Sequence, residues 1–537
     1  MANKPKIVDL TPKDIQALLD RIKHTVSKED YEKIKAMAET IEVLSNVVDQ
    51  KATSIKRLLK LLFGQKSEKK ENVLNNSEDD QGDGEKLDTD NKPDEPKPKD
   101  GKKGEKRKGH GRNGVSAYTG AKKVPVNHET LQHGDPCPEC LKGKVYKTKI
   151  PGTVIRIVGS PPLQATVYEL EKLRCNLCGE IFTAKPPEDI GTEKYDETSA
   201  AIIALLKYGN GFPFYRLGQF QSDLGVPVPA STQWDIIEGA ARVVKPAYTE
   251  MLKQSAQGEL LHSDDTTVKI LSLMKEGETE AGRKGMFTTG ILSKMEDRVA
   301  ALYFTGRNHA GENMADLLQN RLQGLRPPMM MCDALSRNIP KEFGVVLLNC
   351  LTHGRRNFVD VISSFPDECR YVIETLAEVY KNDKIAREKN MSPQERLAFH
   401  QAESKPLMDD LHAWFEKQFD EKRVEPNSGL GKAITYMMKH WEALTRFLEI
   451  PGAPLDNNIC ERALKKAIIH RKNSLFYKTP KGALVGDMFM SLIQTCSMAK
   501  ENPFDYLIAL QKNASAVAAN PEKWLPWNFR QAMPSPN

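Results

Sequence analysis

After Gly258 the spacing of apolar residues changes from the three-and-four recurrence of helices to extended runs, and this limits the second half of the chain to few folds. Four runs read as strands: LLHSDDTTVKIL, MFTTGILSK, RVAALYFTG and PMMMCDAL, with a helical piece, GENMADLLQNRLQ, before the last. A fifth, FGVVLLNCLTH, leads into the helical RRNFVDVI. Three meandering strands and then strand–helix alternation predict a mixed sheet flanked by helices, a multidomain α/β chain. Two acids stand out. Asp264 lies on the first strand and Asp333 closes the apolar fourth, where α/β sheets tend to place their sites. Each, taken singly, is also a common turn or cap residue.

The later stretch DNNICERALKKAIIHRKNSLF, Asp456 to Phe476, sets an acid near the start of a strongly basic helix. Glu461 falls one turn in, followed by Lys465, Lys466, His470, Arg471 and Lys472. A carboxylate in such a field suits a divalent metal while its neighbours hold a polyanion such as DNA. The same spacing suits a capping box, with Glu461 bonding the backbone of Asn458 three residues earlier. The residues alone leave both readings open.

At 537 residues the chain needs three or four units, and its net charge of +6 is modest enough that the clustering of basic residues matters more than their total. The start lacks an apolar signal region and no apolar run is long enough to span a bilayer, so a soluble cytoplasmic protein is expected. Ile34, Met37, Ile41, Leu44, Val48, Ile55, Leu58 and Leu62 form a heptad seam broken by Lys51. It reads as a coiled coil, and hence a homo-oligomer, or as an amphipathic helix packed on its own domain. Residues 68–113 pass from an acidic to a basic half with almost nothing apolar, which predicts a disordered linker.

Cys137 and Cys140, then Cys175 and Cys178, form two CxxC knuckles that predict one structural zinc in a ribbon of hairpins. The other five cysteines read as reduced. Residues 199–244 read as helical, with YRLGQFQSDLG, a VPVPA turn and STQWDIIEGAARVV as helix, turn, helix. Ser231 or Thr232 would cap the second helix, which in DNA-binding units enters the major groove, so Ser231, Thr232 and Gln233 are candidate DNA contacts. An ordinary helical hairpin gives the same pattern. Residues 360–450 form a helical insertion in which Ser392 starts a helix, and the end of the chain is helical around WLPWN.

The assembled pattern resembles the insertion-sequence sixty-six family of bacterial DDE transposases. It does so through LLFGQKSEK, the double CxxC ribbon, FPFYRL, HSDDT, MCD, CLTHGRRNF, DNNICERALKKAIIHRKNSLF, SLIQTC and NPFDYL. The resemblance implies an RNase H-like domain whose catalytic Asp, Asp and Glu are Asp264, Asp333 and Glu461, holding Mg²⁺ or Mn²⁺ for two-metal phosphoryl transfer on DNA. It implies partners too: terminal inverted repeats, target DNA and helper proteins of the same element. Arg355, Arg356, Lys465, Lys466, Arg471 and Lys472 are then candidate DNA-binding residues. The chain departs from the family at Asp265, where Glu is common, and at His470, where Gly is common. Cys350 and His353 form a CxxH pair open to zinc binding, to a structural role or to DNA positioning. A non-catalytic DNA-binding regulator and an RNase H-like nuclease are the other functional classes left. The expected domains are a helical region at 1–67, the linker at 68–113, the ribbon at 114–190 and a helical DNA-binding domain at 191–255. A catalytic domain at 256–485 and a C-terminal helical domain at 486–537 follow.

Overall fold

The computed structural model describes residues 193–533 apart from 278–282 and 297, with scattered positions between 19 and 37 and between 125 and 191. The heptad seam from residue 38 onward and the charged segment at 68–113 lie outside the described residues, as do Cys137, Cys140 and Cys175. The chain divides into two compact units, residues 1–83 with 354–439 and residues 84–353 with 440–537. No helix among the described residues is long and apolar enough to cross a membrane.

Strand β1 (Lys172–Arg174) pairs antiparallel with β2 (Ile181–Thr183) across the second CxxC, and an antiparallel bridge from Pro136 to Lys144 brackets the first. Cys178 is exposed.

Next come α1 (Glu197–Ala204), a π-helical turn Leu205–Gly209, α2 (Phe214–Asp223) and α3 (Ala230–Ser255). Two expectations are corrected here. Helix α3 begins one residue early, after Pro229, and neither Ser231 nor Thr232 caps it. It also runs past residue 244 and through Pro246, because Ala247, Tyr248 and Met251 beyond the proline are buried and their packing holds the helix together.

The sheet has five strands: β3 (Leu260–Thr267), β4 (Phe287–Met295), β5 (Arg298–Gly306), β6 (Met329–Cys332) and β7 (Val346–Asn349). Their order is β5-β4-β3-β6-β7, with β3, β4 and β5 antiparallel and β6 and β7 parallel to β3. Helix α4 (Ala310–Leu318) precedes β6, and α5 (Leu351–Val361) follows β7. Each of the five strands falls on one of the extended runs, but the fifth is shorter than its run, because Leu351 to His353 already belong to the first turn of α5.

The 354–439 unit is helical: α6 (Pro366–Glu388), α7 (Pro393–Glu403), α8 (Lys405–Asp420) and α9 (Gly429–Lys439). Ser392 caps α7 in a reciprocal box with Glu395, as its sequence predicts. Phe358 stacks on Phe415 inside this unit, and Asp383 is buried against Arg396 and His400.

Helix α10 (Asn458–Ser474) lies on one face of the sheet, and α11 (Pro480–Met498) runs beside β5, followed by α12 (Pro503–Lys512). An edge strand leaves unpaired backbone donors. Here α11 meets them with side chains: Thr495 accepts from Ala301 N at 3.0 Å, Ser491 from Tyr303 N at 3.0 Å, and Asp487 from Thr305 N at 2.7 Å. Four residues of helix rise about 6 Å and two of strand about 6.6 Å, so the two repeats stay in step. The expected boundary at 485/486 therefore falls inside a helix bonded to the sheet. Leu492, Ile493, Tyr506 and Leu507 share one core with Leu261, Ile291 and Val244.

Candidate active site

The register of the sheet decides which acids meet. His262 on β3 is opposite Met331 on parallel β6, so Asp264 and Asp333, each two residues further on, emerge from the same face of adjacent strands. Asp265 points to the other face. There its carboxylate accepts from Thr289 Oγ1 at 2.6 Å and from the Ala310 N–H at 3.0 Å, with His309 Nδ1 at 3.4 Å. That residue ties β3 to β4 and to the start of α4, and both its oxygens are committed.

Glu461 reaches the site from above because α10 comes close to β4. Gly290, the pairing partner of Asp264, makes this possible: Cys460 Sγ lies 3.3 Å from its carbonyl oxygen, and a Cβ there would stand 3.1 Å from Leu464 Cδ1. Tyr303 OH donates to Ala463 O at 2.7 Å and holds the same turn down. Asn457 fixes the helix end. Its side-chain amide donates to Ser263 O at 2.8 Å, and its oxygen faces His262 Nδ1 at 3.0 Å. Burial pushes His262 down to about 4, so the imidazole is neutral and donates to that oxygen.

The capping box does not form. Helix α10 starts at Asn458 with Asn457 as its cap, which puts Glu461 one position too late to close a box. Asn458 is instead bonded, through N and Nδ2, to Asp456 at 3.1 and 2.8 Å. Glu461 Oε1 is buried and accepts no hydrogen bond. Leaving a buried carboxylate oxygen unpartnered costs free energy unless a cation or donor arrives. Burial pushes the Asp264 carboxyl up to about 7, and the charges of Asp333 and Glu461 add to the rise while the Asp265 N–H opposes it. Three acids far apart in the chain thus share one electrostatic pocket. Asp333 is steadied by Asn338, which donates to Oδ1.

Spacing along the chain does not reveal two further neighbours of Glu461. His353, in the first turn of α5, has Nε2 4.0 Å from Glu461 Oε1, and Cys350 closes β7 beside it. Burial pushes the Cys350 thiol up to about 11. The CxxH spacing signals that pair, but only the tertiary fold brings it to the acid.

The candidate DNA-binding residues separate by exposure. Lys465, Lys472 and Ser231 are exposed, and Thr232 is half-buried. Gln233 is wholly buried and donates to Phe214 O and Val228 O, so it fastens the turn between α2 and α3 and has no face toward DNA. Lys466 is partly buried with Nζ on Gly209 O, and Arg471 spans Thr266 and Thr267 at the end of β3. Arg355 is buried and Arg356 partly so, both in the 354–439 unit. His470, the departure from Gly, is buried and stacked on Tyr477 and Tyr208 with ring centroids 4.8 and 6.0 Å away.

Three proteins of Sinorhizobium fredii (strain NBRC 101917 / NGR234) are similar to this chain. Uncharacterized protein y4hP is 27% identical over 394 residues, 67% of each chain. Uncharacterized protein y4qI is 29% identical over 371 residues, 66% of each. Uncharacterized protein y4jD is 26% identical over 347 residues, 62% of this chain and 65% of its own. The sequence model of the transposase IS66 family matches residues 194–484, more than half of the chain, from α1 through the sheet to the start of α11. By that match, which encloses Asp264, Asp333 and Glu461, the chain belongs to the transposase IS66 family.

Proposed function

We propose that this chain is a DNA transposase that binds the terminal inverted repeats of a bacterial insertion element, cleaves at the element ends and joins the 3′-hydroxyl ends to target DNA. The observation that carries the reading is the convergence of Asp264, Asp333 and Glu461 on one face of the sheet, with the first carboxyl raised by burial and by the other two. Meander β3–β5 followed by parallel β6 and β7 supports an RNase H-like assignment for this domain.

The three carboxylates fit hard divalent ions: all donors are oxygen, Glu461 Oε1 is unpartnered, and Asp264 is destabilised as an anion until positive charge arrives. Mg²⁺ or Mn²⁺ bound there would activate the attacking oxygen and stabilise the leaving oxygen of a phosphodiester. The chain's own part is to hold the acids in place. Asp264 is fixed by the strand, Asp333 by Asn338, and Glu461 by the Asn457 clamp and the seat at Gly290. Lys465 and Lys472, exposed on the same helix as Glu461, would hold phosphates, and Ser231 and Thr232 at the start of α3 would take part in end recognition. Cys137, Cys140, Cys175 and Cys178 would hold one structural zinc, and the N-terminal heptads would make a homo-oligomer on DNA in the cytoplasm, with helper proteins of the element. The test is purified protein with a labelled terminal inverted repeat and a target duplex, with and without Mg²⁺. Metal-dependent cleavage with joining is expected. Cleavage without joining points to a nuclease, and binding alone points to a regulator.

A further inference from the structure

Beside the three carboxylates lies a donor set of different chemistry. Cys350 Sγ, a His353 ring nitrogen and a Glu461 carboxylate oxygen all lie within 4.8 Å of one another, brought together from the end of β7 and the first turns of α5 and α10. Ligand atoms around a tetrahedral ion with bonds of about 2.0–2.3 Å stand roughly 3.3–3.8 Å apart, so small side-chain rotations would close the set. The His353 Nε2 to Glu461 Oε1 separation of 4.0 Å is too long for a hydrogen bond and close to that spacing. His353 Nδ1 and Glu461 Oε1 are both buried without a hydrogen-bond partner. The sulfur is prepared differently: the Asn457 N–H points at Cys350 Sγ at 3.2 Å, the kind of outer donor that steadies a metal-bound thiolate.

We propose that Cys350, His353 and Glu461 form a second cation site, selective for a thiophilic divalent ion of the zinc class, whose occupation takes Glu461 from Asp264 and Asp333 and stops catalysis. Sulfur and imidazole select such an ion over Mg²⁺, whereas Asp264 and Asp333 offer only oxygen. On binding, the Cys350 thiol gives its proton to solvent and the thiolate becomes the ligand. The inhibitory half of this inference rests on the catalytic reading of Glu461; the existence of the site does not.

Metal-free full-length protein is titrated with Co²⁺, following sulfur-to-cobalt charge transfer, for wild type, Cys350→Ser, His353→Gln and Asp264→Asn. Because the ribbon cysteines are common to all four proteins, differences isolate this sulfur. Wild type and Asp264→Asn should each show a stronger sulfur band than Cys350→Ser, corresponding to one further sulfur-ligated ion per chain, and Mg²⁺ alone should not produce that band. His353→Gln should bind that ion more weakly by about tenfold or more. In Mg²⁺-supported cleavage, added Zn²⁺ should inhibit wild type at concentrations about tenfold or more below those needed for Cys350→Ser. Equal stoichiometry and band intensity in wild type and Cys350→Ser would overturn the site. Equal zinc sensitivity despite a difference in cobalt binding would overturn its inhibitory role. An Asp264→Asn protein that still cleaves and still binds the extra cobalt would sink the three-carboxylate reading while the thiophilic site stands.

Discussion

Replacing Asp487 by Asn should make the protein more stable above neutral pH and remove one source of its pH dependence. Asp487 is buried on α11 beside β5, where its two oxygens accept from Thr305 N at 2.7 Å and Thr305 Oγ1 at 2.6 Å, and among the described residues no cation is paired with it. Burial pushes its carboxyl up to about 7 from an ordinary 3.8, against the opposing pull of the Thr305 donors. The folded state therefore keeps the proton where the unfolded chain has lost it. This stabilisation is fully present below pH 3.8, declines as the pH rises and is gone above 7. The gap corresponds to roughly 4 kcal/mol as an upper bound. Asn is neutral throughout; its oxygen can accept from Thr305 N while its amide donates to Thr305 Oγ1, so the edge of β5 stays capped. Urea unfolding of both proteins from pH 4.5 to 8 gives the test as a difference, which cancels every other titrating group. The variant's advantage should be about 1 kcal/mol at pH 4.5, where the unfolded carboxyl is already largely ionised, and should widen to at most roughly 4 kcal/mol at pH 8. Parallel stability profiles across that range would refute the argument that a buried, unpaired carboxyl sits at this edge.

Gly290→Ala should cost about 1–2 kcal/mol and depress cleavage, because its Cβ would press on Leu464 and lift the helix that carries Glu461; unfolding midpoints and cleavage rates report the two effects. A Cys175→Ser, Cys178→Ser double variant should lose one zinc per chain by metal analysis, and full retention would refute the four-sulfur assignment. Neutralising exposed Lys465 and Lys472 should weaken binding to all duplexes alike and lower the log–log salt slope by about 0.9 for each phosphate no longer neutralised. An unchanged slope would remove both from the DNA-binding surface. Gln233→Ala should instead destabilise the turn between α2 and α3 by about 1–2 kcal/mol, a loss visible in unfolding without DNA.

The five strands were legible because short extended apolar runs are a local signal that survives folding, and Ser392 announced its helix by a short-range box. What depended on register was not. Asp264 and Asp265 are adjacent and chemically alike, and only the pairing of His262 with Met331 and of Asp265 with Thr289 decides which faces Asp333 and which anchors α4. The sequence could pair Glu461 with Asn458 as a cap because the spacing is right, but Asn457 is drawn to β3 and the helix begins where that clamp leaves it. Gln233 looked like a DNA-facing residue at a helix start, and burial beneath two carbonyl oxygens cannot be read from a polar residue's name. The Asp487, Ser491 and Thr495 repeat was visible at four-residue spacing, but its meaning needs the strand alongside.

In the proposed mechanism Asp264, Asp333 and Glu461 act as one metal-binding unit while Asp265 is structural. The most direct measurement compares Mg²⁺-dependent cleavage and joining of a labelled terminal repeat by Asp264→Asn, Asp333→Asn, Glu461→Gln and Asp265→Asn, with end binding and folding checked for each. The first three should lose both reactions yet still bind the end, and Asp265→Asn, though less stable, should retain substantial activity. An active Glu461→Gln protein, or an Asp265→Asn protein that is folded and dead, would contradict that mechanism.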